Sequence, residues 1–337
     1  MFLRNCWYVA AEAREVGRAP LGRLLLGEPV VLYRRQDGTP VALEDRCCHR
    51  RAPLHRGEVV GDALQCGYHG FTFGADGACI KVPGQAHPPR GARVRSYPLV
   101  ERHRYVWIWM GDPARADPAL VPDFHTNDDP AWAAASARMP VKANYLLLVE
   151  NLLDLSHVGY VHKGTIGSDD SGAELELEHG RGFVRLTRSS QDIETPPHNR
   201  KQGFGPRSDQ TKIMTFLPAG HITIDIATTE RAAAEPRHRM HIFLINSITP
   251  ETERSSHYFW TSTRDFAVDD PNVTEFFQRE TTRAFNEDIA VLEAQQSCIE
   301  LDPAAPTVNV PGDAGGVTAR RLVARLIEAE TARAVAE

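Results

Sequence analysis

The sequence predicts two domains: a small all-β domain over residues 1–112, and an α+β domain over 113–337 in which an antiparallel sheet is crossed by a long helix. Three observations carry this. Before residue 112, short β-branched and aromatic runs alternate with turn residues and no helical period interrupts them. A stretch dense in Pro and Asp follows, with Gly111-Asp112-Pro113, Asp117-Pro118, Pro122-Asp123 and Asp128-Asp129-Pro130. Beyond it the pattern changes to long helical segments flanking strand-like runs, the signature of a helix packed on a sheet.

In chain order, Val30-Val31-Leu32-Tyr33 and Tyr105-Val106-Trp107-Ile108-Trp109 read as strands. Gln36-Asp37-Gly38, Val60-Gly61-Asp62, Ala75-Asp76-Gly77 and Pro83-Gly84 read as turns between strands. Residues 143–158 read as one helix, apolar on most sides and therefore buried. Gly182–Leu186, His221–Ile226 and Met240–Ile245 read as strands, and about 190–212 as a long loop. A strong helix covers about 273–297, and the Ala/Arg/Glu-rich tail from about 317 reads as another.

Composition excludes several classes. The net charge of −6 supplies no basic field for nucleic acid or an anionic membrane. No apolar run approaches the roughly 18–20 residues that span a bilayer, and the first residues lack the apolar core of a secretory signal. A cytoplasmic globular protein is the expectation. Its six cysteines (Cys6, Cys47, Cys48, Cys66, Cys79 and Cys298) are too sparse for a disulfide scaffold. Three of them crowd into 47–66 beside His49 and His69, which points to metal; the others read as buried thiols.

The first candidate centre is Cys47-Cys48-His49 with Cys66-Gly67-Tyr68-His69, two ligand pairs on separate turns. A structural zinc site also uses two Cys and two His. In a Rieske cluster two Cys hold one iron and two His the other, and here each loop contributes one of each. On these residues the N-terminal third resembles the Rieske [2Fe-2S] domain of the aromatic-ring-hydroxylating oxygenase family. The resemblance implies thiolate ligands at Cys47 and Cys66 and imidazole ligands at His49 and His69. One departure is Cys48, where the family commonly has Pro.

The second candidate centre lies on the two long helices. Glu150, Asn151 and His157 all lie within about 60° of Asp154 on an otherwise apolar helix, which is costly unless they pair with one another or bind something. His157 and His162, five apart, fall about 140° apart on an ideal helix; a break at Gly159 would let both reach one ion. A distant carboxylate should complete the set. On the second helix Asp288 centres the stripe of Phe277, Thr281, Ala284, Leu292 and Gln295, while Glu287 lies about 100° away and reads as structural. Asp288 is thus the expected third ligand, and two His with one carboxylate leave positions open on a non-haem iron.

This half resembles the catalytic domain of the same family, through Asn151, Asp154, His157 and His162 and through the run Phe285 to Gln296. The likeness implies a helix-grip catalytic domain with a mononuclear Fe(II). It also implies a catalytic role for Asp154, bridging an iron His to a Rieske His of a neighbouring subunit. Together with Asn5-Cys6-Trp7-Tyr8-Val9-Ala10, Thr249-Pro250-Glu251, His257-Tyr258-Phe259-Trp260 and Asp313-Ala314-Gly315-Gly316-Val317, it most resembles the oxygenase components of vanillate O-demethylase and its relatives.

That resemblance implies a homotrimer that uses O2 to hydroxylate a methyl or methoxy group of a small aromatic acid. A hydroxylated methoxy group collapses to formaldehyde and a phenol. Toluenesulfonate-type methyl hydroxylation and ring dihydroxylation are the alternatives at the same centre. With no dinucleotide-binding glycine motif and no further ferredoxin-type cysteine set, the chain should depend on a separate NAD(P)H-dependent reductase of flavin or ferredoxin type. Asn246 and Asn151 are the substrate-facing candidates, while His221, Arg200 and Lys201 could meet an anion or be ordinary strand and surface residues. Rival readings are a Rieske electron carrier, for which residues 113–337 would have no purpose, and a zinc-stabilised carrier of a hydrophobic ligand.

Overall fold

The structure, a computed structural model, describes residues 1–167, 173–231 and 238–336. The chain forms two compact units, Met1–Val121 with Thr249–Thr252, and Pro122–Ile248 with Glu253–Glu337.

The first unit is all-β. Its strands are β1 (Trp7–Glu12), β2 (Leu21–Leu25), β3 (Glu28–Arg34), β4 (Pro40–Glu44), β5 (Glu58–Val60), β6 (Ala63–Gln65), β7 (Thr72–Phe73), β8 (Cys79–Lys81), β9 (Leu99–Arg102) and β10 (Tyr105–Trp109). They form three sheets, β1-β10-β9, β2-β3-β4 and β5-β6-β7-β8. Every residue of β1 and β10 is buried, which is why both lack polar alternation. Trp7 and Trp109 meet edge to face, 5.3 Å apart. Val31, Tyr33, Leu43, Leu64 and Phe73 pack around Cys47 and Cys66, so the thiol ends of the two candidate loops are rooted in the core.

The units divide at 121/122, whereas the sequence reading placed the boundary at 112/113. The Pro/Asp-rich stretch forms short turns tied to the first unit: Trp7 Nε1 donates to Asp117 O (2.8 Å), Trp109 Nε1 to Asp112 O (2.9 Å) and Arg102 Nη1 to Pro118 O (3.2 Å).

The second unit holds a seven-stranded antiparallel sheet. Its strands are β11 (Ala133–Val141), β12 (Glu174–His179), β13 (Val184–Glu194), β14 (Arg207–Leu217), β15 (His221–Glu230), β16 (Arg239–Thr252) and β17 (Ser255–Arg264), in the order β11-β17-β16-β15-β14-β13-β12. Its helices are α1 (Tyr145–Leu153), α2 (Val158–Val161), α3 (Pro197–Arg200), α4 (Pro271–Leu301) and α5 (Ala314–Ala336). Asp270 starts α4 by accepting from Asn272 N (2.9 Å), with Pro271 at the first helical position. The helix packs on β11, β17 and α1 through Phe277, Ala284, Phe285, Asp288, Leu292 and Gln296. Gln295, expected on this stripe, is exposed and its neighbour Gln296 is buried instead.

Two expectations are corrected here. The helix expected over 143–158 ends at Leu153, because Asp154 is extended (φ −117°, ψ 99°) and its side chain caps a fresh turn at Ser156 N, 2.8 Å away. The loop expected over 190–212 is only 195–206. β13 and β14 continue through the rest, pairing Ser190 with Gln210 and Arg188 with Lys212. The inward positions of β14 run Ser208, Gln210, Lys212, Met214 and Phe216, all buried. Polar residues on the buried face disguised the strand as a loop.

Candidate metal centres and the cavity beside them

The two loops of the first centre share one backbone design. Cys47 N donates to Ala52 O and Cys66 N to Phe71 O, both at 2.8 Å; the Cys47 and Cys66 carbonyls accept from Arg51 N (2.8 Å) and Gly70 N (3.0 Å). Arg51 and Gly70 hold equivalent places and both have left-handed backbone, φ +57° and +71°. Glycine takes that conformation at no cost and arginine does not. The tight turns bury both thiols and leave both imidazoles exposed. The His49 and His69 rings lie 4.7 Å apart, with His49 stacked on Phe71.

Burial, then the Cys66 thiol beside it, push the Cys47 thiol up to about 11. Binding as thiolate to a cation reverses that preference. Among the described residues only His157, His162 and Asp288 gather three donor atoms within 4.8 Å of one another. The four loop residues are more widely spaced, which suits a two-iron cluster better than one tetrahedral zinc ion. Cys48 is exposed, unlike the buried Cys47 and Cys66 on either side of it in the two loops.

At the second centre His157, His162 and Asp288 come together from two elements. Asp288 Oδ1 lies 3.3 Å from His157 Nε2 and 3.1 Å from His162 Nε2, and the two rings are 5.3 Å apart. Gly159 does not break the chain between the histidines; a single helical turn does the work, closed by His162 N to Val158 O at 3.1 Å. The break is upstream, at Asp154.

Each imidazole has a fixed proton. His157 Nδ1 donates to the Asp154 carbonyl (2.6 Å), and His162 Nδ1 to Glu287 Oε2 (2.8 Å), so both Nε2 atoms are turned toward Asp288. Thr165 Oγ1 donates to the same Glu287 oxygen (2.9 Å). Glu287, read from sequence as structural, thus orients a candidate ligand. Burial alone would raise the Asp288 carboxyl, but the His157 and His162 rings hold it down at about 2. For His162 burial works the other way, and the neighbouring Asp288 and Glu287 carboxylates overcome it to raise the ring. A buried acceptor set of this kind, two neutral imidazole nitrogens and one carboxylate, fits a divalent iron.

Asn151 donates from Nδ2 to Asp288 Oδ1 (3.2 Å), beside the ligand set, and lines the adjoining cavity. The Asp154 carboxylate is engaged with Ser156 N; its carbonyl holds His157. Asn246 lies elsewhere. It is fully buried in the sheet, donating to Ile222 O (3.1 Å) and accepting from Tyr258 Oη (2.7 Å), and does not line the cavity. His221 contacts Ser247 Oγ (3.0 Å), Arg200 pairs with Glu194 (3.6 Å) and Lys201 with Glu280 (3.1 Å).

A cavity of about 100 Å³ adjoins the ligand set. The metal-site residues line one part. Ile224, Ile226, Ile242, Leu244, Phe277 and Phe285 give apolar walls, and a polar group of His198, Gln210, Lys212 and Glu280 lines the remainder. No sequence argument had singled out His198, Gln210 or Lys212 as site residues.

Comparison with known proteins agrees with this layout. Residues 6–98 match the Rieske [2Fe-2S] domain, and 141–329 the vanillate O-demethylase oxygenase C-terminal domain. The chain is 41% identical to a putative toluene-4-sulfonate monooxygenase system iron-sulfur subunit of Comamonas testosteroni, over 98% of each chain. It is 33% identical to a vanillate O-demethylase oxygenase subunit of Pseudomonas sp. (strain HR199 / DSM 7063), covering 98% of this chain and 96% of that one. The crystal structure of dicamba monooxygenase bound to 3,6-dichlorosalicylic acid superposes with a TM-score of 0.91 at 35% identity, covering 98% of this chain and 99% of that one. With a Rieske domain and this C-terminal domain in one polypeptide, the chain belongs to the Rieske non-haem iron oxygenases of the vanillate O-demethylase family.

Proposed function

We propose that the chain is the oxygenase component of a monooxygenase that hydroxylates a methyl or methoxy carbon on a small aromatic acid. One observation carries this reading: a two-histidine, one-carboxylate set opens on a cavity with apolar walls and a buried cation. Relatives named for toluene-4-sulfonate monooxygenation and for O-demethylation of vanillate and dicamba support it. Those two outcomes are one reaction, insertion of oxygen into a methyl C–H bond. A ring methyl stays as the alcohol, whereas an O-methyl falls apart to formaldehyde and a phenol.

In this reading Cys47, His49, Cys66 and His69 would hold the [2Fe-2S] cluster, and His157, His162 and Asp288 the mononuclear iron. When bound, the cluster supplies electrons singly and the mononuclear iron supplies the site where O2 is reduced. The Asp154 carbonyl and the Glu287 carboxylate keep the Nδ1 protons of His157 and His162 in place, so Nε2 stays available as a donor. Asn151 steadies Asp288. The isoleucine, leucine and phenylalanine walls exclude water and leave an aromatic ring few orientations, which fixes the carbon that reacts. The exposed His49 and His69 edges suit electron exchange with another protein surface. A separate NAD(P)H-dependent reductase of flavin or ferredoxin type, a homotrimeric assembly, and a role for Asp154 in electron passage between subunits complete the proposal.

The test is turnover of iron-reconstituted protein with a surrogate reductase on methoxybenzoates, methylbenzoates and toluenesulfonates, scoring formaldehyde and benzylic alcohol. We expect about three irons per chain and stoichiometric product from at least one of these acids. Protein that carries both centres and oxidises none of these methyl groups overturns the reading.

A further inference from the structure

We propose that Asp45 and His55 form a clip that holds the first ligand loop in shape for the cluster, a role that rests on Cys47, His49, Cys66 and His69 being the cluster ligands. The two loops are alike in their inner turns and are closed differently at their ends.

The second loop is the tip of a hairpin. Gln65 of β6 and Thr72 of β7 face each other in the register, with Leu64 facing Phe73 behind them, so backbone pairing closes the loop that carries Cys66 and His69. The first loop leaves β4, which pairs with β3, and runs through the turn at Leu54–Arg56 into β5, which pairs with β6 in a different sheet. Among the described residues no strand pairing joins its two ends, and closing a loop without such pairing is opposed by chain entropy.

Side chains close it instead. Asp45 Oδ1 accepts from His55 N (2.7 Å), and Asp45 Oδ2 accepts from His55 Nδ1. One carboxylate thus takes both the backbone and the ring N–H of a single residue, a two-point contact that fixes direction as well as distance. Asp45 is itself tied to β3, its own N–H donating to Pro29 O (2.9 Å). Its side chain is 5% exposed, and a carboxylate so enclosed is costly unless it is hydrogen-bonded. Gly22 of β2 makes room for the ring, since a Cβ there would stand 2.7 Å from His55 Cγ. Leu54, beside His55, sits in the core with Cys47 and Cys66, so a displaced His55 disturbs the packing around the sulfurs.

The first loop also carries a load that the second lacks. Arg51 holds left-handed backbone (φ +57°) where the second loop has Gly70 (φ +71°). That conformation is costly for an L side chain and free for glycine. The Arg51 side chain is exposed, so no burial compensates the cost locally. The Asp45–His55 contact offsets it.

Cluster retention reads the clip directly. Holoprotein is challenged with excess EDTA and the bleaching of the Rieske absorption is timed, with paramagnetic resonance of the reduced cluster recorded on the same samples. His55→Leu removes the ring donor and Asp45→Asn the charge; each should speed bleaching roughly 10-fold, the worth of one charge-assisted hydrogen bond. His55→Asn, whose amide nitrogen stands near the place of Nδ1, should stay within about 2-fold of wild type. Arg51→Gly placed in the His55→Leu protein should slow bleaching again by about 5-fold. Arg51→Gln, which removes the charge and keeps the backbone cost, should not. Gln65→Leu, which removes the 3.4 Å contact to Thr72 Oγ1 at the second loop, should leave the rate unchanged. A general loss of stability does not produce that pattern.

A His55→Leu protein that bleaches at the wild-type rate with unaltered resonance overturns the clip. Equal recovery by Arg51→Gly and Arg51→Gln overturns its link to the left-handed residue. Should His55→Leu and Asp45→Asn fail to fold, Gly22→Ala takes their place: by displacing the ring it should speed bleaching several-fold, and wild-type retention overturns the clip. Cys47→Ala with an intact Rieske spectrum overturns the ligand assignment instead, so the two failures are distinct.

Discussion

The two candidate centres share only their paired imidazoles and solve opposite problems. In the N-terminal unit, two short turns bury the sulfurs and present the imidazoles to solvent. In the C-terminal unit the ligands come from α4 and from the turn after α1, more than a hundred residues away in sequence, and His162 and Asp288 are almost wholly buried. A centre that passes electrons gains from an exposed edge. One that handles O2 gains from enclosure, where a fixed dipole counts for more. Exposure is achieved with backbone: two left-handed residues and four turn hydrogen bonds. Enclosure draws mainly on side chains: Glu287 holds His162 and Asn151 holds Asp288, while His157 is held by the Asp154 carbonyl.

That contrast can be broken from one side. Asp288→Ala should abolish turnover and reduce iron from about three per chain to about two, with the Rieske absorption and paramagnetic signals unchanged; metal analysis and spectroscopy on one sample check both halves. Loss of the Rieske signals as well would show that the centres are not independently built. Glu287→Gln sharpens the comparison. It keeps an acceptor for His162 Nδ1 but removes the charge, and affinity for the mononuclear iron should fall about 10-fold, measured by chelator competition, again with no change at the cluster.

The smallest effect concerns acid. Unfolded chain protonates His198 near its ordinary 6.5, while the fold resists protonation until about 4. Stability from this group is therefore full above 6.5 and is lost as pH falls through that window, by about 3 kcal/mol at most. Thermal unfolding between pH 7 and 4 should show the loss, and His198→Gln should flatten it. Hydrogen exchange should place it in the second unit, with α4 amides opening before those of β10.

The ease of reading each centre follows from the same contrast. Cys47, His49, Cys66 and His69 stand within one short stretch, where spacing and turn residues are visible without a fold. The Asp288 stripe was visible because α4 is long and regular, yet its far end slipped from Gln295 to Gln296 as the ideal period drifted. The chain break was read at Gly159, the flexible residue, and lies at Asp154, where a capping side chain outcompetes helix continuation. Glu287 was hidden by adjacency: 100° from the stripe centre is still close enough to touch the rim of a site. Gln210 and Lys212 were hidden because polar residues on an inward strand face look like a loop until something is known to line up opposite them. Asn246 illustrates the reverse error, since an amide beside a pocket-forming strand can be consumed wholly by its neighbours.

Asp154 holds His157 by its carbonyl, an atom common to every amino acid, and not by its carboxylate. Aiming that imidazole is thus insensitive to which residue the gene encodes there, provided the chain still bends. The carboxylate's own part is the cap on Ser156 N that makes this bend, a task that Asn, Ser or Thr can also perform, so exchange among capping residues at 154 should leave the aim of His157 intact.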